Sequence, residues 1–134
     1  MKRSLVLLLV AGAMTLGVQA YAHHSFAATY LEDQEMSIEG DLVQFLYRNP
    51  HSFVHVMAPE PQTKEQVRWA VEWGGGGQLG QQGVSRETLK PGDHVVIPGS
   101  PGRNPADHRL RMRTIFRPKD SWRWRGALRW PAAR

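Results

Sequence analysis

"QVRWAVEW", residues 66–73, decides the fold class. Val67, Trp69, Val71 and Trp73 fall on one phase of a period-2 alternation, with Arg68, Ala70 and Glu72 on the other, which is the pattern of a strand with one buried face. The residue types agree, because β-branched and aromatic side chains suit a pleated, half-buried surface. Upstream, Phe53–Met57 reads as another strand, opened after the turn signal Asn49-Pro50 and ended by Pro59-Glu60-Pro61. Before it, Met36–Tyr47 carries Ile38, Gly40 and Leu42 on one phase and Val43, Phe45 and Tyr47 on the other, a shift that predicts a bulge near Asp41–Val43.

Downstream, Gly74–Gly77 reads as a flexible break, Gln78–Gly83 as a short helical turn, and Ser85–Leu89 as a further turn closed by Pro91-Gly92. Asp93–Gly99 and Leu110–Phe116 are the last two strands, separated by a loop rich in Pro, Gly and Asn over 98–107. Five short strands with one helical element before the fourth predict an all-β domain, a small five-stranded OB-like barrel, with a small β-sandwich as the alternative. Residues 23–35 have weak periodicity and read as an extended lead-in.

The amino terminus has its own pattern. Lys2 and Arg3 precede the apolar run Leu5–Val10, the small-residue stretch Ala11–Gly17, and the overlapping small-x-small sites of Val18-Gln19-Ala20-Tyr21-Ala22. This is the layout of a cleaved secretory signal over residues 1–22, and it predicts a periplasmic or secreted product. Cleavage there leaves about 112 residues, the size of one small domain. With no Cys in the chain, neither a disulfide nor a lipid anchor at the cleavage point is available.

Charge divides unevenly. Residues 117–134 hold six basic groups against the single acid Asp120, whereas residues 23–116 hold nine against eleven acids. The expected organisation is therefore a β-barrel domain over 23–117 and a flexible basic Trp/Arg-rich tail over 118–134. Trp122, Arg123, Trp124, Arg125 and Trp130 interleave interface-seeking indoles with cations, which suits contact with a membrane surface or an envelope partner. Export argues against nucleic acid as the partner.

The chemistry-bearing residues are mostly histidines. Cleavage after Ala22 makes His23 the first residue, so that its α-amine and imidazole form one chelate and a further imidazole completes a three-nitrogen set. Cleavage after Ala20 leaves His23 third, where the amine, two amides and the ring can also capture Cu(II). Nitrogen donors in tetragonal geometry select copper. His51, after the turn Asn49-Pro50, is the best-aimed partner, and His24 is an alternative ring donor. His55 stands four strand residues away, roughly 13 Å, too far to share one ion with His51. His55, His94 and His108 read as surface imidazoles. Glu72 lies on the outward phase of its strand and is expected to be solvated. An inward placement would instead demand a cationic or metal partner. No serine sits in a nucleophile elbow, and Gly74–Gly77 lacks the Lys-Ser or Lys-Thr of a phosphate loop.

The sequence His23-His24-Ser25-Phe26, Asn49-Pro50-His51, Trp69 with Glu72 in a Trp-x-x-Glu, Leu89-Lys90-Pro91-Gly92-Asp93 and Gly99-Ser100-Pro101 together resemble the bacterial exported domain-of-unknown-function family 6152, over about residues 22–117. The resemblance implies a compact OB-type barrel exported to the periplasm, and no established activity comes with it. Gly74–Gly77 stands where the family more usually has a mixed segment with Pro.

Two functional readings follow. In the first, a non-enzymatic periplasmic domain holds Cu(II) through His23 and His51, with His24 as an alternative and Glu72 as an outer-shell or axial group. In the second, a metal-free domain engages the envelope or membrane through its barrel face or tail. A mono-copper oxidoreductase, similar in its ligands to the lytic polysaccharide monooxygenases, is a weaker alternative because so short a chain offers little substrate surface.

Overall fold

The computed structural model describes residues 26–126. Strand β1 (Met36–Leu46) serves two partners in turn. Its first half, Met36–Asp41, pairs antiparallel with β4 (His94–Pro101), and its second half, Asp41–Leu46, with β2 (Phe53–Pro59). Gly40 stands where the partners change. A Cβ there would lie 1.9 Å from the Met57 carbonyl oxygen, so only glycine lets the two backbones pass so closely.

From β2 the chain returns antiparallel as β3 (Gln66–Glu72), which runs parallel to β5 (Arg109–Met112), and β5 in turn lies antiparallel beside β4. The order β1-β2-β3-β5-β4 is closed by the β1–β4 pairing, and helix α1 (Gly76–Gln81) connects β3 to β4. This is a closed five-stranded barrel of OB type, as the alternation predicts, and not a sandwich. Inward side chains fill it: Ile38, Leu42, Val54, Val56, Trp69, Val71, Val95, Ile97, Leu110 and Ile115 are all buried. Leu79 of α1, with Val84 and Leu89 from the segment behind it, belongs to the same core.

The expected bulge is present. Leu42 pairs with Val56 and Gln44 with His55, which leaves Val43 as the extra residue, turned outward and exposed. The fifth predicted strand differs. Leu110–Phe116 is two strands, β5 and β6 (Thr114–Arg117), parted at Arg113. Gly99 pairs with Met112 but Val96 with Phe116, so one residue is inserted between them. The Arg113 guanidinium accounts for the break: it donates to Glu35, to the carbonyls of Glu32 and Gln34, and to Ser100 Oγ, pinning the turn before β1 onto the barrel.

Two segments differ from the expectation. The predicted tail begins at 118, yet Pro118–Asp120 forms a 3-10 turn and β7 (Trp122–Arg125) pairs antiparallel with β6. The predicted extended lead-in is helical over residues 26–29. It is followed by Tyr30, which bridges to Gly102 and is fully buried. Among the described residues no helix is long and apolar enough to cross a membrane.

Candidate functional site

The connection between β1 and β2 is short and heavily tied. Ser52 is fully buried. It accepts the Arg48 N–H at 3.2 Å, and its hydroxyl lies 3.1 Å from the Arg48 carbonyl. The Asn49-Pro50 peptide between them is cis. The tetraglycine then locks this loop from below. Ser52 N–H donates to the Gly74 carbonyl, Trp73 N–H to that of Ser52, and Gly76 N–H to that of Arg48, while Asn49 Oδ1 accepts the Gly77 N–H. Gly74–Gly77, read as a flexible break, is instead the surface on which residues 48–52 rest. Side chains there would collide with the loop, since a Cβ on Gly75 would stand 2.6 Å from the Pro50 carbonyl oxygen.

That support aims His51. Its Nδ1 lies 3.2 Å from Glu72 Oε1. Glu72 is on the outer face of β3, as the alternation requires, because Trp69, Val71 and Trp73 take the core phase. The expectation that an outward Glu72 is solvated fails: its side chain is only 13% exposed. The cause is a second layer. Residues 26–30 lie over this face, and the Tyr30 hydroxyl donates to Glu72 Oε2. The Phe26 ring meets that of His51 edge-on, with centroids 5.4 Å apart. Arg111, the β5 residue directly opposite Glu72, holds its guanidinium 3.7 Å from the Phe26 ring centre and pairs with Glu32 at 2.5 Å.

Burial, reinforced by the hydrogen bond to Glu72, pushes the Tyr30 phenol well above its ordinary value, so Tyr30 stays a donor. The result is a chain of contacts from Tyr30 through a carboxylate to an imidazole. The imidazole sits on the wall of a cleft of about 350 Å³ lined also by Arg48, Asn49, Pro50 and Phe53. The arrangement can hold and orient an imidazole. Among the described residues, the nearby Ser52 hydroxyl is committed to the Arg48 backbone.

The remaining predicted positions are dispersed. His23, His24 and Trp130 lie outside the described residues. Trp122 and Trp124 pack against the barrel core: Trp124 lies edge-on to Trp73 at 5.0 Å and donates Nε1 to Gln82 at 2.9 Å. Arg123 and Arg125 point outward and are exposed. His55 accepts from Arg68 Nε at 2.9 Å, and burial with the two nearby cations Arg68 and Arg48 pushes its pKa down. His94 lies between Glu39 and Asp41, and His108 packs edge-on against Trp69. Among the described residues, no three His, Asp or Glu side chains converge as a metal cage.

Sequence reasoning missed Tyr30, Arg111 and Asp93. The first two belong to the covering layer, and only the placement of an aromatic within a polar lead-in marks Tyr30. Asp93 follows the Pro91-Gly92 turn and is 5% exposed, paired with Arg117 at 2.8 Å and Lys119 at 2.6 Å. It anchors the β6–β7 hairpin and, with Arg117 and Lys119, lines a separate cleft of about 260 Å³.

The model of a family of unknown function, DUF6152, matches residues 11–111. No curated protein and no solved structure matches the chain. The match spans most of the sequence, and the chain belongs to that family.

Proposed function

We propose that this DUF6152 member is an exported, non-catalytic copper-binding domain, which holds Cu(II) between the amine and ring of His23 at its processed amino terminus and the ring of His51, with His24 as an alternative ring donor. Its role is carriage or buffering of copper in the periplasm. The observation that carries the reading is the contact of Phe26 with His51, at 5.4 Å between rings. Phe26 is three residues after His23, and three residues span at most about 10 Å, so the chain length allows the amine and ring of His23 to reach toward His51. The described part supplies one fixed imidazole, and the terminus must supply the other nitrogens. An amine and two imidazoles in one plane form a set that favours Cu(II).

The test uses protein exported and processed in a periplasm, with its first residue established by intact mass. Cu(II) titration with EPR is expected to give one tetragonal nitrogen-ligated site per chain. His51→Ala should weaken it and alter its spectrum, and one extra residue before His23 should collapse the affinity. Loose copper that ignores both changes, on a chain that begins at His23, overturns the proposal.

A further inference from the structure

We infer that the outer edge of β7 is a docking site for an extended, acidic segment of a partner protein, which joins the sheet as a further strand beside Arg123 and Arg125. The site lies away from His51, and it stands or falls independently of the copper reading.

The strand order ends at β7, which among the described residues pairs only with β6. The register shows which backbone groups are left over. Trp122 stands opposite Arg117 and Trp124 opposite Ile115, and Gly126 N–H continues the series by donating to the Arg113 carbonyl at 3.4 Å. Backbone groups two residues apart in an antiparallel strand point to the same side. Trp122, Trp124 and Gly126 therefore direct theirs to β6, and the N–H and C=O of Arg123 and of Arg125 point away from it. Such an edge is a template for another strand.

The side chains say which strand fits. Arg123 and Arg125 are exposed on the outer face, while Trp122 and Trp124 are half-buried on the inner one. The Arg123 guanidinium lies over the Phe116 ring, 4.6 Å from its centre, which holds it along the sheet surface. Arg111, Arg113 and Arg117 each pair with a carboxylate, but neither Arg123 nor Arg125 does so among the described residues. A strand laid along this edge places its residues alternately beside the arginines and beside the indoles. Its outer face should therefore carry Asp or Glu, and its inner face apolar side chains. In strand addition the main-chain bonds give affinity and the alternate side chains give specificity. A second copy of β7 fits poorly, because continuing the sheet would set arginine beside arginine, and directly opposed like charges destabilise a pair. The edge repels its own copies and selects an acidic strand.

The probe is a peptide of alternating Glu and Val, added to the full-length exported protein. A peptide of the same composition in two blocks, Glu then Val, is the control. In the free protein, amide exchange followed by 15N NMR should find Arg123 and Arg125 fast and Trp124 slow. The alternating peptide should slow Arg123 and Arg125, and the block peptide should not. Arg123→Ala and Arg125→Ala should each weaken the alternating peptide by up to roughly 5-fold, the size of an opposite-charge cross-strand pair. Arg123→Pro removes an outward N–H and no bond to β6, so it should weaken the peptide further than Arg123→Ala does.

Slow exchange at Arg123 and Arg125 in the free protein overturns the inference, and so does an alternating peptide that fails to protect them. Equal binding of the two peptides, or an Arg123→Pro that binds as Arg123→Ala does, reduces the contact to charge alone and also overturns it. Protection that rises with protein concentration and needs no peptide assigns the edge to a second copy instead. Binding to phosphatidylglycerol vesicles without protection by the peptide assigns the arginines to lipid, and the inference falls.

Discussion

A single methyl group at Gly75 should push against the loop that carries His51. Gly75 precedes α1 with φ −68° and ψ 150°, a conformation open to any residue, so Ala costs no backbone strain there. The contacts decide the outcome. The added Cβ would stand 2.6 Å from the Pro50 carbonyl oxygen and 2.8 Å from Asn49 Oδ1. Neither is the end of a flexible chain, because Asn49 is held by the Gly77 N–H and Pro50 lies between the paired residues Arg48 and Ser52. The loop and the helix start must part by about half an ångström, and such overpacking typically costs about 1–3 kcal/mol.

The gain from a stiffer unfolded chain, about 0.4–1 kcal/mol, offsets only part of that. Gly77→Ala is the matched control. Its Cβ would meet only Asn49 Oδ1 at 3.9 Å, an ordinary contact, and it lies inside α1. There Ala should stabilise by about 1 kcal/mol on helix propensity alone. For a domain of this size 1 kcal/mol moves Tm by about 4–8 °C. Urea unfolding followed by tryptophan fluorescence should therefore separate two variants that differ by two residue positions, one falling and one rising. The same Gly75→Ala protein should show a shifted His51 ring resonance. Equal stabilisation by both substitutions would refute the reasoning, for it would mean that the loop recoils freely and that the glycines do not aim His51.

Three pH responses follow from the same geometry. Burial alone would raise the Asp93 carboxyl, but hydrogen bonds from Lys119, the Lys90 N–H and Arg117 outweigh it and hold it at about 2. A depressed carboxyl stabilises above its ordinary value, so up to about 2 kcal/mol should be lost as pH falls from about 4 to 2, and Asp93→Asn should flatten that arm of the urea midpoint. His94 is raised by its bonds to Glu39 and Asp41, so its contribution is complete below about pH 6.5 and fades as pH rises through the raised value. These groups are exposed, the change should stay below about 1 kcal/mol, and His94→Gln should abolish it. Tyr30 is raised by burial and then by Glu72, so stability should decline as pH climbs past about 10, and Tyr30→Phe should remove that decline.

What the sequence made legible is what short-range periodicity encodes. QVRWAVEW places Trp69, Val71 and Trp73 inward, and the phase shift near Val43 marks a real bulge, because both follow from side chains alternating along one strand. The break at Arg113 has no such signature. Leu110–Phe116 alternates acceptably in one piece, and the division comes from an arginine reaching carbonyls about 80 positions earlier in the chain. The Trp/Arg stretch misleads for a related reason. Trp122-Arg123-Trp124-Arg125 is itself a period-2 strand whose indoles face the core, and amphipathic composition near a chain end looks the same whether the apolar face meets lipid or protein.

Glu72 shows where periodicity stops being informative. Alternation assigns it correctly to the outside of the barrel, and an outward glutamate on an isolated strand would be solvated. The barrel here is not the outermost layer. Residues 26–30 cover that face, and Tyr30 and His51, both earlier in the chain, each approach one of the two carboxylate oxygens. A binary pattern describes one interface per strand, so a second interface on the polar face is invisible to it until the covering segment is known. The same geometry explains why the spacing of the histidines could not give the arrangement around His51. Asn49-Pro50-His51 and Trp69-x-x-Glu72 are separate short motifs in the chain. The tetraglycine brings the first against the end of the second, and the segment leading from the amino terminus closes over both. The site is thus a property of the cover as much as of the barrel, and changes in residues 26–30 should alter the chemistry of His51 while leaving the five-stranded barrel intact.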